Sequence, residues 1–263
     1  MSLITLTTDF GPDGRYVAQL KGVLYARAPG VTVVDLSHDI PPQDIAAAAR
    51  LLKEAAPCWP AGTTHLAVVD PGVGTERPIV AIDAVGQRFV GPDNGLFGWL
   101  NGQTDAVVAI DPRRIEPAGK SATFHGRDLM APAAARLALR ADVAELGDAH
   151  PELVATPTPD APTLFESRVE GEVIEVDRYG NLITNVPAEA LEDAPRGDRL
   201  RATFGEHETF GLWRTYGENP PGTLVALVGS TDLVELAIVG GDAAAMLSAR
   251  VGDAVTLDWS DRG

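Results

Sequence analysis

Between Leu3 and Asp70 the chain alternates short β-branched runs with amphipathic stretches, and this alternation restricts the fold more than any other feature. "LITLTT" is followed by Val17, Leu20 and Leu24 at helical spacing until "APG", then by the run "VTVVDLS". After Pro41 and Pro42, "QDIAAAARLLKEAA" has the composition and length of a helix, and "THLAVVD" is a third apolar run. Short runs rich in Val, Ile and Thr fit strands, and apolar residues three to four apart fit helices. Strand, helix, strand, helix, strand implies a parallel sheet with right-handed crossovers, because each helix must pack back onto a right-twisted sheet. "PIVAIDAVGQRFVG" predicts two strands around a tight turn at Val85-Gly86, and "DAVVAID" a further strand. "RDLMAPAAARLALR" predicts a helix with Pro132 in its early turns. Residues 1–150 are therefore expected to form an α/β domain with a mixed, largely parallel sheet.

Residues 151–163, "PELVATPTPDAPT", are rich in proline and poor in large apolar side chains, as an exposed extended connector would be. Beyond it "VEGEVIEVD", "NLITNV", "GTLVALVG" and "LVELAIV" are short alternating runs separated by turn residues. Residues 164–263 are thus expected to form an antiparallel all-β domain, sandwich or barrel.

Acidic residues outnumber Lys and Arg by 37 to 21, a formal net charge of −16, and no basic run offsets it. A nucleic-acid backbone would be repelled by such a chain. The longest apolar runs fall far short of the roughly 20 residues of a spanning helix, so no membrane association is expected. "MSLITLTTDFG" has neither the basic region nor the cleavage site of an export signal, and a cytoplasmic location is the expectation. Cys58 is the only cysteine, which excludes an internal disulfide and a cysteine-rich zinc site; its expected role is buried filler.

In open α/β sheets ligands bind beyond the carboxyl ends of the strands, and Asp9, Asp35 and Asp70 all lie at or near such ends. Any one of them could be a turn cap, but three in succession mark a candidate site. "PGVGTERP" is not a phosphate-cradling loop, because Pro78 opens a strand where such a loop would feed a helix; its glycines are read as permitting a sharp turn and a close ligand approach. "TFHGRDLMAP" sets His125 and Gly126 ahead of a helix, with Asp128 as a possible cap. "GPDNGLFGWL" reads as a turn followed by a helix, with Asn94-Gly95 explicable as turn chemistry. In the second domain "VIEVDRYGNLITN" groups Asp177, Tyr179 and Asn181 on one connection, which suits either a heterocycle with an ammonium or ribose group or a plain hairpin. Ser230 and Glu235 lie near strand ends of the same domain.

The ordered blocks "LTTDFG", "VVDLSHDIPPQD", "VVDPGVGTERP", "GPDNGLF", "TFHGRD", "VDRYGNLITN" and "ELAIVGGDAA" span essentially the whole chain. In these the chain resembles the S-adenosyl-L-methionine (SAM) hydroxide adenosyltransferases, adenosine-forming SAM hydrolases related to the SAM-dependent fluorinase and chlorinase. The resemblance implies an N-terminal α/β domain, a C-terminal β domain, and a homotrimer with SAM between one subunit's first domain and a neighbour's second. It implies hydrolysis of SAM to adenosine and L-methionine with no metal and no cofactor, SAM being the substrate. The positions matching the family's water-handling triad are Asp70, Arg77 and His125. Substrate contacts fall by position on Asp9 for the ribose hydroxyls, Asp177 for the methionine amino group, and Tyr179, Asn181 and Ser230 for general SAM contacts, with Glu235 beside them. Gln43 stands where the fluorinase has a tryptophan. In the halogenating relatives a tyrosine replaces Asp70 and a serine at the position of Gly126 holds the halide, so the resemblance disfavours halide chemistry. Two other readings compete: a magnesium phosphohydrolase using the strand-end acids, against which Arg77 weighs, and a non-catalytic SAM or adenosine sensor.

Overall fold

The structure is a computed structural model that describes residues 2–12, 14–195 and 197–260. Two compact units divide the chain, one ending at Thr158 and the other beginning at Pro159.

In chain order the first unit comprises β1 (Leu3–Thr8), α1 (Arg15–Arg27), β2 (Thr32–Ser37), α2 (Ile45–Ala55), β3 (Thr64–Val68), β4 (Ile79–Ala84), β5 (Gln87–Pro92), β6 (Thr104–Ile110), α3 (Ala131–Ala138) and β7 (Gly147–Ala149). Among the described residues these strands make one seven-stranded sheet, ordered β2-β1-β3-β5-β4-β6-β7. The β1/β2, β1/β3 and β3/β5 ladders are parallel and the other three antiparallel, so every strand except β4 and β7 runs the same way. Helices cover both faces, which explains why β3 is buried at every position. Leu66 and Val68 face the core that holds Leu20, Leu24 and Met130. Ala67 and Val69 face the core of Ala48, Leu52 and Phe89. Burying each such leucine or phenylalanine contributes about 1.5–3 kcal/mol.

One departure from chain order matters for the site. The β4–β5 hairpin turns at Val85 and Gly86, whose φ values of 49° and 74° suit the twist of a two-residue hairpin loop. It inserts with β5, not β4, against β3. The loop leaving β3 must therefore arch over the end of β5 to begin β4.

The second unit contains β8 (Thr163–Leu164), β9 (Arg168–Val176), β10 (Leu182–Pro187), β11 (Arg201–Phe204), β12 (His207–Phe210), β13 (Leu212–Trp213), β14 (Leu224–Val228), β15 (Leu233–Ile238), α4 (Ala243–Leu247) and β16 (Ala254–Asp258). Its nine described strands pair as β12-β11-β16-β9-β10-β15-β14-β13, with β8 on β9. All pairings are antiparallel except β13/β14. Thr209 on β12 donates to the Leu224 carbonyl on β14 at 2.6 Å, so the sheet curls towards a barrel around Val173, Leu182, Leu236 and Leu257.

Within the stretch expected to be an exposed connector, Leu153 is buried in the first unit and exchanges hydrogen bonds with Asn101. Cys58 corrects another expectation: it is exposed, in a short turn after α2 where its neighbour Ala56 takes the buried position.

His65 on β3 is fully buried, bonded to the Thr5 hydroxyl at 2.7 Å and Gln87 Oε1 at 3.3 Å, and stacked on Phe89. Burial lowers its pKa to about 4, the Gln87 bond opposing. The unfolded imidazole titrates near 6.5, so between pH 6.5 and 4 the unfolded chain binds more protons and stability falls as the pH falls. At about 1.36 kcal/mol per pH unit, that loss reaches about 3 kcal/mol. Urea unfolding at pH 7 and pH 4 is expected to show the parent losing about that much more stability than His65→Gln.

Candidate active site

Asp70 and Arg77 sit on the loop that arches from β3 to β4. Two successive turns fold it back, with Val73 N–H on the Asp70 carbonyl and Thr75 N–H and hydroxyl on the Gly72 carbonyl. Arg77 returns beside Asp70 in a fork: Nε donates to Oδ1 at 2.8 Å and Nη2 donates to Oδ2. Both side chains are largely shielded, with 10% and 6% of the Arg77 and Asp70 side chains exposed. Nη2 also reaches His125 Nδ1 at 3.1 Å. The sequence reading had the loop glycines leaving room for a ligand; Gly74 serves a different contact. Its φ is +83°, and a Cβ there would lie 2.8 Å from the Ala122 carbonyl, so glycine lets the loop seat against the segment leading to His125.

His125 immediately precedes a wide turn, Gly126–Met130, in which the Ala131 N–H reaches back five residues to the Gly126 carbonyl before α3 begins. Pro132 accounts for the change of pitch. It has no N–H for the Asp128 carbonyl four residues earlier, and Ala118 N–H takes that acceptor instead at 3.0 Å. Asp128 does not cap the helix: its buried carboxylate accepts from Ser121 N–H at 2.7 Å and pairs with Arg127. Gly126 rests on β3, where an added Cβ would stand 2.8 Å from Val68 Cγ1. Two glycine contacts thus bring His125 to a guanidinium 48 residues away.

Burial lowers the pKa of His125, and the Arg77 charge lowers it further against the opposing pull of Asp70 and Asp128. The ring is neutral at pH 7. A guanidinium has no lone pair to offer, so Nδ1 accepts from Arg77 and the ring proton resides on Nε2.

A cavity of about 710 Å³ in the first unit is lined by Asp9, Gln43, Asp70, His125 and Gly126. Its wall includes Phe10, Tyr16 and Phe124, which meet edge to face or tilted at ring separations of 5.3–5.9 Å. Asp9 Oδ2 accepts the Gln43 backbone N–H at 2.9 Å, with Gln43 at a left-handed φ of 67°. Of the three strand-end acids, Asp9 and Asp70 converge and Asp35 does not. Asp35 pairs with Lys21 at 2.6 Å and His38 at 3.0 Å, away from the cavity lining.

In the second unit Asp177 and Asn181 lock each other. Asp177 Oδ1 accepts the Tyr179 and Asn181 backbone N–H groups and Oδ2 the Asn181 amide, each at 2.8 Å. Tyr179 and Ser230 are exposed. Glu235 is buried and accepts the Tyr216 hydroxyl, a partner the sequence reading missed. Burial raises the Glu235 pKa, Asp177 adding and Tyr216 opposing, and burial with the Glu235 bond raises that of Tyr216. Sequence reasoning also missed the aromatic trio; "DF" beside the first strand end and "TFHG" beside His125 were its only traces.

An α/β unit with a partly buried carboxylate–guanidinium–imidazole cluster on its cavity, followed by a curled β unit, defines a two-domain enzyme architecture. The chain belongs to the SAM hydroxide adenosyltransferase family: its N-terminal domain matches residues 4–147 and its C-terminal domain residues 171–256. The (R)-S-adenosyl-L-methionine hydrolase of Thermus thermophilus is 42% identical, covering 98% of this chain and all of that protein. A fluorinase of Actinoplanes sp. is 28% identical over 80% of each chain. The crystal structure of an uncharacterized conserved protein from Thermotoga maritima superposes with a TM-score of 0.88 at 30% identity, covering 97% of this chain and 99% of the other.

The Gly126–Val68 contact is testable by a double-mutant cycle. Gly126→Ala is expected to cost about 1–3 kcal/mol in urea unfolding, as overpacking does. In a Val68→Ala background that cost should fall by at least about 1 kcal/mol, because the colliding methyl is gone.

Proposed function

We infer that the chain hydrolyses S-adenosyl-L-methionine to adenosine and L-methionine, water attacking C5′ in line with the bond to sulfur. Family membership and full-length similarity to a hydrolase named for that substrate support the activity. The observation that carries the chemistry is the hydrogen-bonded cluster of Asp70, Arg77 and His125 at a cavity that also contains Asp9. The relative's name adds the R configuration at sulfur. We extend that to this chain, so a mixture of sulfonium epimers should be depleted of the R form alone.

The leaving group is a neutral thioether, so its departure needs no general acid. The nucleophile is the difficulty, since water has a pKa near ~15.7. Asp70 keeps a lone pair on each oxygen beyond its bonds to Arg77; it accepts the water's proton as the O–C5′ bond forms and the C5′–S electron pair passes to sulfur. His125 donates from Nε2 to the attacking oxygen, and Arg77 fixes both partners and balances the carboxylate charge. Holding the water in line is worth roughly 7–11 kcal/mol and outweighs the proton transfer. A magnesium-dependent reading is weakened by Asp35, which faces Lys21 and His38 while Asp70 is spent on Arg77.

Asp9 is assigned to the ribose hydroxyls, with Gln43 holding it. Asp177 is assigned to the methionine amino group, and Tyr179, Asn181 and Ser230 to further contacts. The family resemblance implies a homotrimer in which one subunit's first domain meets a neighbour's second, and we propose that assembly here; Asp9 and Asp177 lie on different units, as it requires. Light scattering should give three times the chain mass. Mixed Asp70→Asn and Asp177→Ala subunits should regain activity that neither has alone, and a monomer with full activity would overturn the assembly.

Two outcomes test the chemistry. Asp70→Asn is expected to lower adenosine formation by ~10²-fold or more, within the range of acid–base groups, with KM nearly unchanged. The pH profile of kcat/KM should fall on the acid side, because protonating His125 removes the lone pair that meets Arg77; since the His125 pKa of the unliganded protein is lowered, that limb should have its midpoint below 6.5. Adenosine followed by chromatography, with chloride and fluoride as competing nucleophiles, decides the reading. Halogenated nucleoside would overturn it in favour of halide transfer, and no product in favour of a sensor.

A further inference from the structure

The arch that carries Asp70 and Arg77 is gripped at both ends by two consecutive residues. Asn94 Nδ2 donates to the carbonyl of Val69, directly before Asp70, at 3.0 Å. The Asp93 N–H donates to the carbonyl of Pro78, directly after Arg77, also at 3.0 Å. This follows from topology: β5 lies between β3 and β4, so the residues leaving β5 emerge beneath the loop that joins its two neighbours. The clamp is itself fixed. Asn94 Oδ1 accepts the Leu96 N–H at 3.3 Å, so both ends of the amide are in use and its orientation is set. The Asp93 carboxylate is buried and accepts the Val154 N–H at 2.9 Å, with His150 Nε2 on its other oxygen at 2.8 Å. Nothing in turn chemistry alone requires an amide that reaches a carbonyl 25 residues back.

We propose that Asn94 is a positioning residue for the reaction, holding Asp70 in register with Arg77 and, through Arg77, with His125. It touches none of the reacting atoms; it acts by fixing where the arch leaves β3. The assignment rests on the role given above to Asp70, Arg77 and His125. Loss of the Nδ2 donor frees the Asp70 end of the arch while Asp93 still holds the Arg77 end, so the fork between them loosens.

Asn94→Ala, Asn94→Asp and the control Asn101→Ala separate this from a merely structural role. Asn101 makes the same kind of side-chain bond, to Leu153 at 3.1 Å, on a segment remote in sequence from the arch. Asn94→Ala should lower kcat by tenfold or more, since a misplacement of ~1 Å costs up to 10²-fold, with KM changed less than about threefold. Asn94→Asp sets an oxygen against the Val69 carbonyl and should be at least as impaired. Asn101→Ala should lose a similar midpoint in urea while kcat stays within about twofold. The second readout is the His125 titration followed by NMR in the unliganded protein. The groups acting on His125 are Arg77, Asp70 and Asp128, and weakening of the Arg77 influence should move its midpoint up towards 6.5 in Asn94→Ala but not in Asn101→Ala. Should the parent protein form no adenosine, the hydrolytic reading fails, and the titration still decides whether Asn94 orders the cluster. An Asn94→Ala variant with parental kcat and His125 midpoint, or an Asn101→Ala variant displaced equally in both, overturns the proposal. If Asn94→Ala does not fold, Asn94→Gln, which keeps the amide one methylene further out, is expected to fold with intermediate values; parental values there overturn the proposal as well.

Discussion

The fork between Arg77 and Asp70 is the interaction on which the rest of the site depends. Two charges withdrawn from water cost several kcal/mol each in desolvation, and only close, bidentate geometry offsets that. Here Nε and Nη2 face the two carboxylate oxygens, and little of either side chain is exposed. The same Nη2 extends to His125 Nδ1. Because a guanidinium can only donate, one side chain fixes the orientation of the acid, the tautomer of the imidazole and the distance between them. Lysine, a point charge without the planar fork, could not hold both partners in this way.

Much of this was legible in the sequence, for identifiable reasons. Strands and helices of the first unit follow from apolar spacing, and the hairpin turn from Val85-Gly86 between two apolar runs. Asp70, Arg77 and His125 were grouped through the family resemblance alone; the bidentate pairing of the first two across a short turn-rich connection is seen only in the structure. The strand-end rule misplaced Asp35: β2 is an edge strand, and an acid there meets Lys21 on α1 instead of the cavity. Phe10, Tyr16 and Phe124 were invisible because more than a hundred residues separate the first two from the third, and no periodicity records such a contact. Pro132 was seen as an early-turn proline; that it widens the preceding turn depends on Ala118 being present to take the freed carbonyl.

The second unit shows how one arrangement satisfies two readings. Asp177 caps its own turn through the backbone of Tyr179 and Asn181, as a plain connection would require. Yet the turn also leaves Tyr179 exposed and places Asp177 where its charge is felt by Glu235 and Tyr216. A carboxylate whose oxygens are already fixed by three donors is a rigid acceptor, and rigidity is what a recognition group needs. Cap and ligand contact are compatible roles for the same atoms.

On the proposed mechanism, the distribution of constraint within the first unit matches the chemistry of the leaving group. A sulfonium departs as a neutral thioether, so nothing has to be built to protonate it, and the preorganised groups can all be spent on the nucleophile. On the reading proposed above, the ordered groups of the first unit serve the nucleophile. The arch is pinned at both ends beyond β5, Gly74 seats it on the Ala122 segment, and Gly126 seats the His125 turn on Val68. These four contacts join three separate stretches of chain and meet at one cluster. Asn94 is a short side chain with little rotamer freedom to lose, whereas the two glycines lose more backbone freedom on ordering than any other residue would. On the reading proposed above, a water molecule held by such a cluster would be aligned before substrate arrives, and the cost of ordering the groups that hold it would be met during folding and not in the transition state.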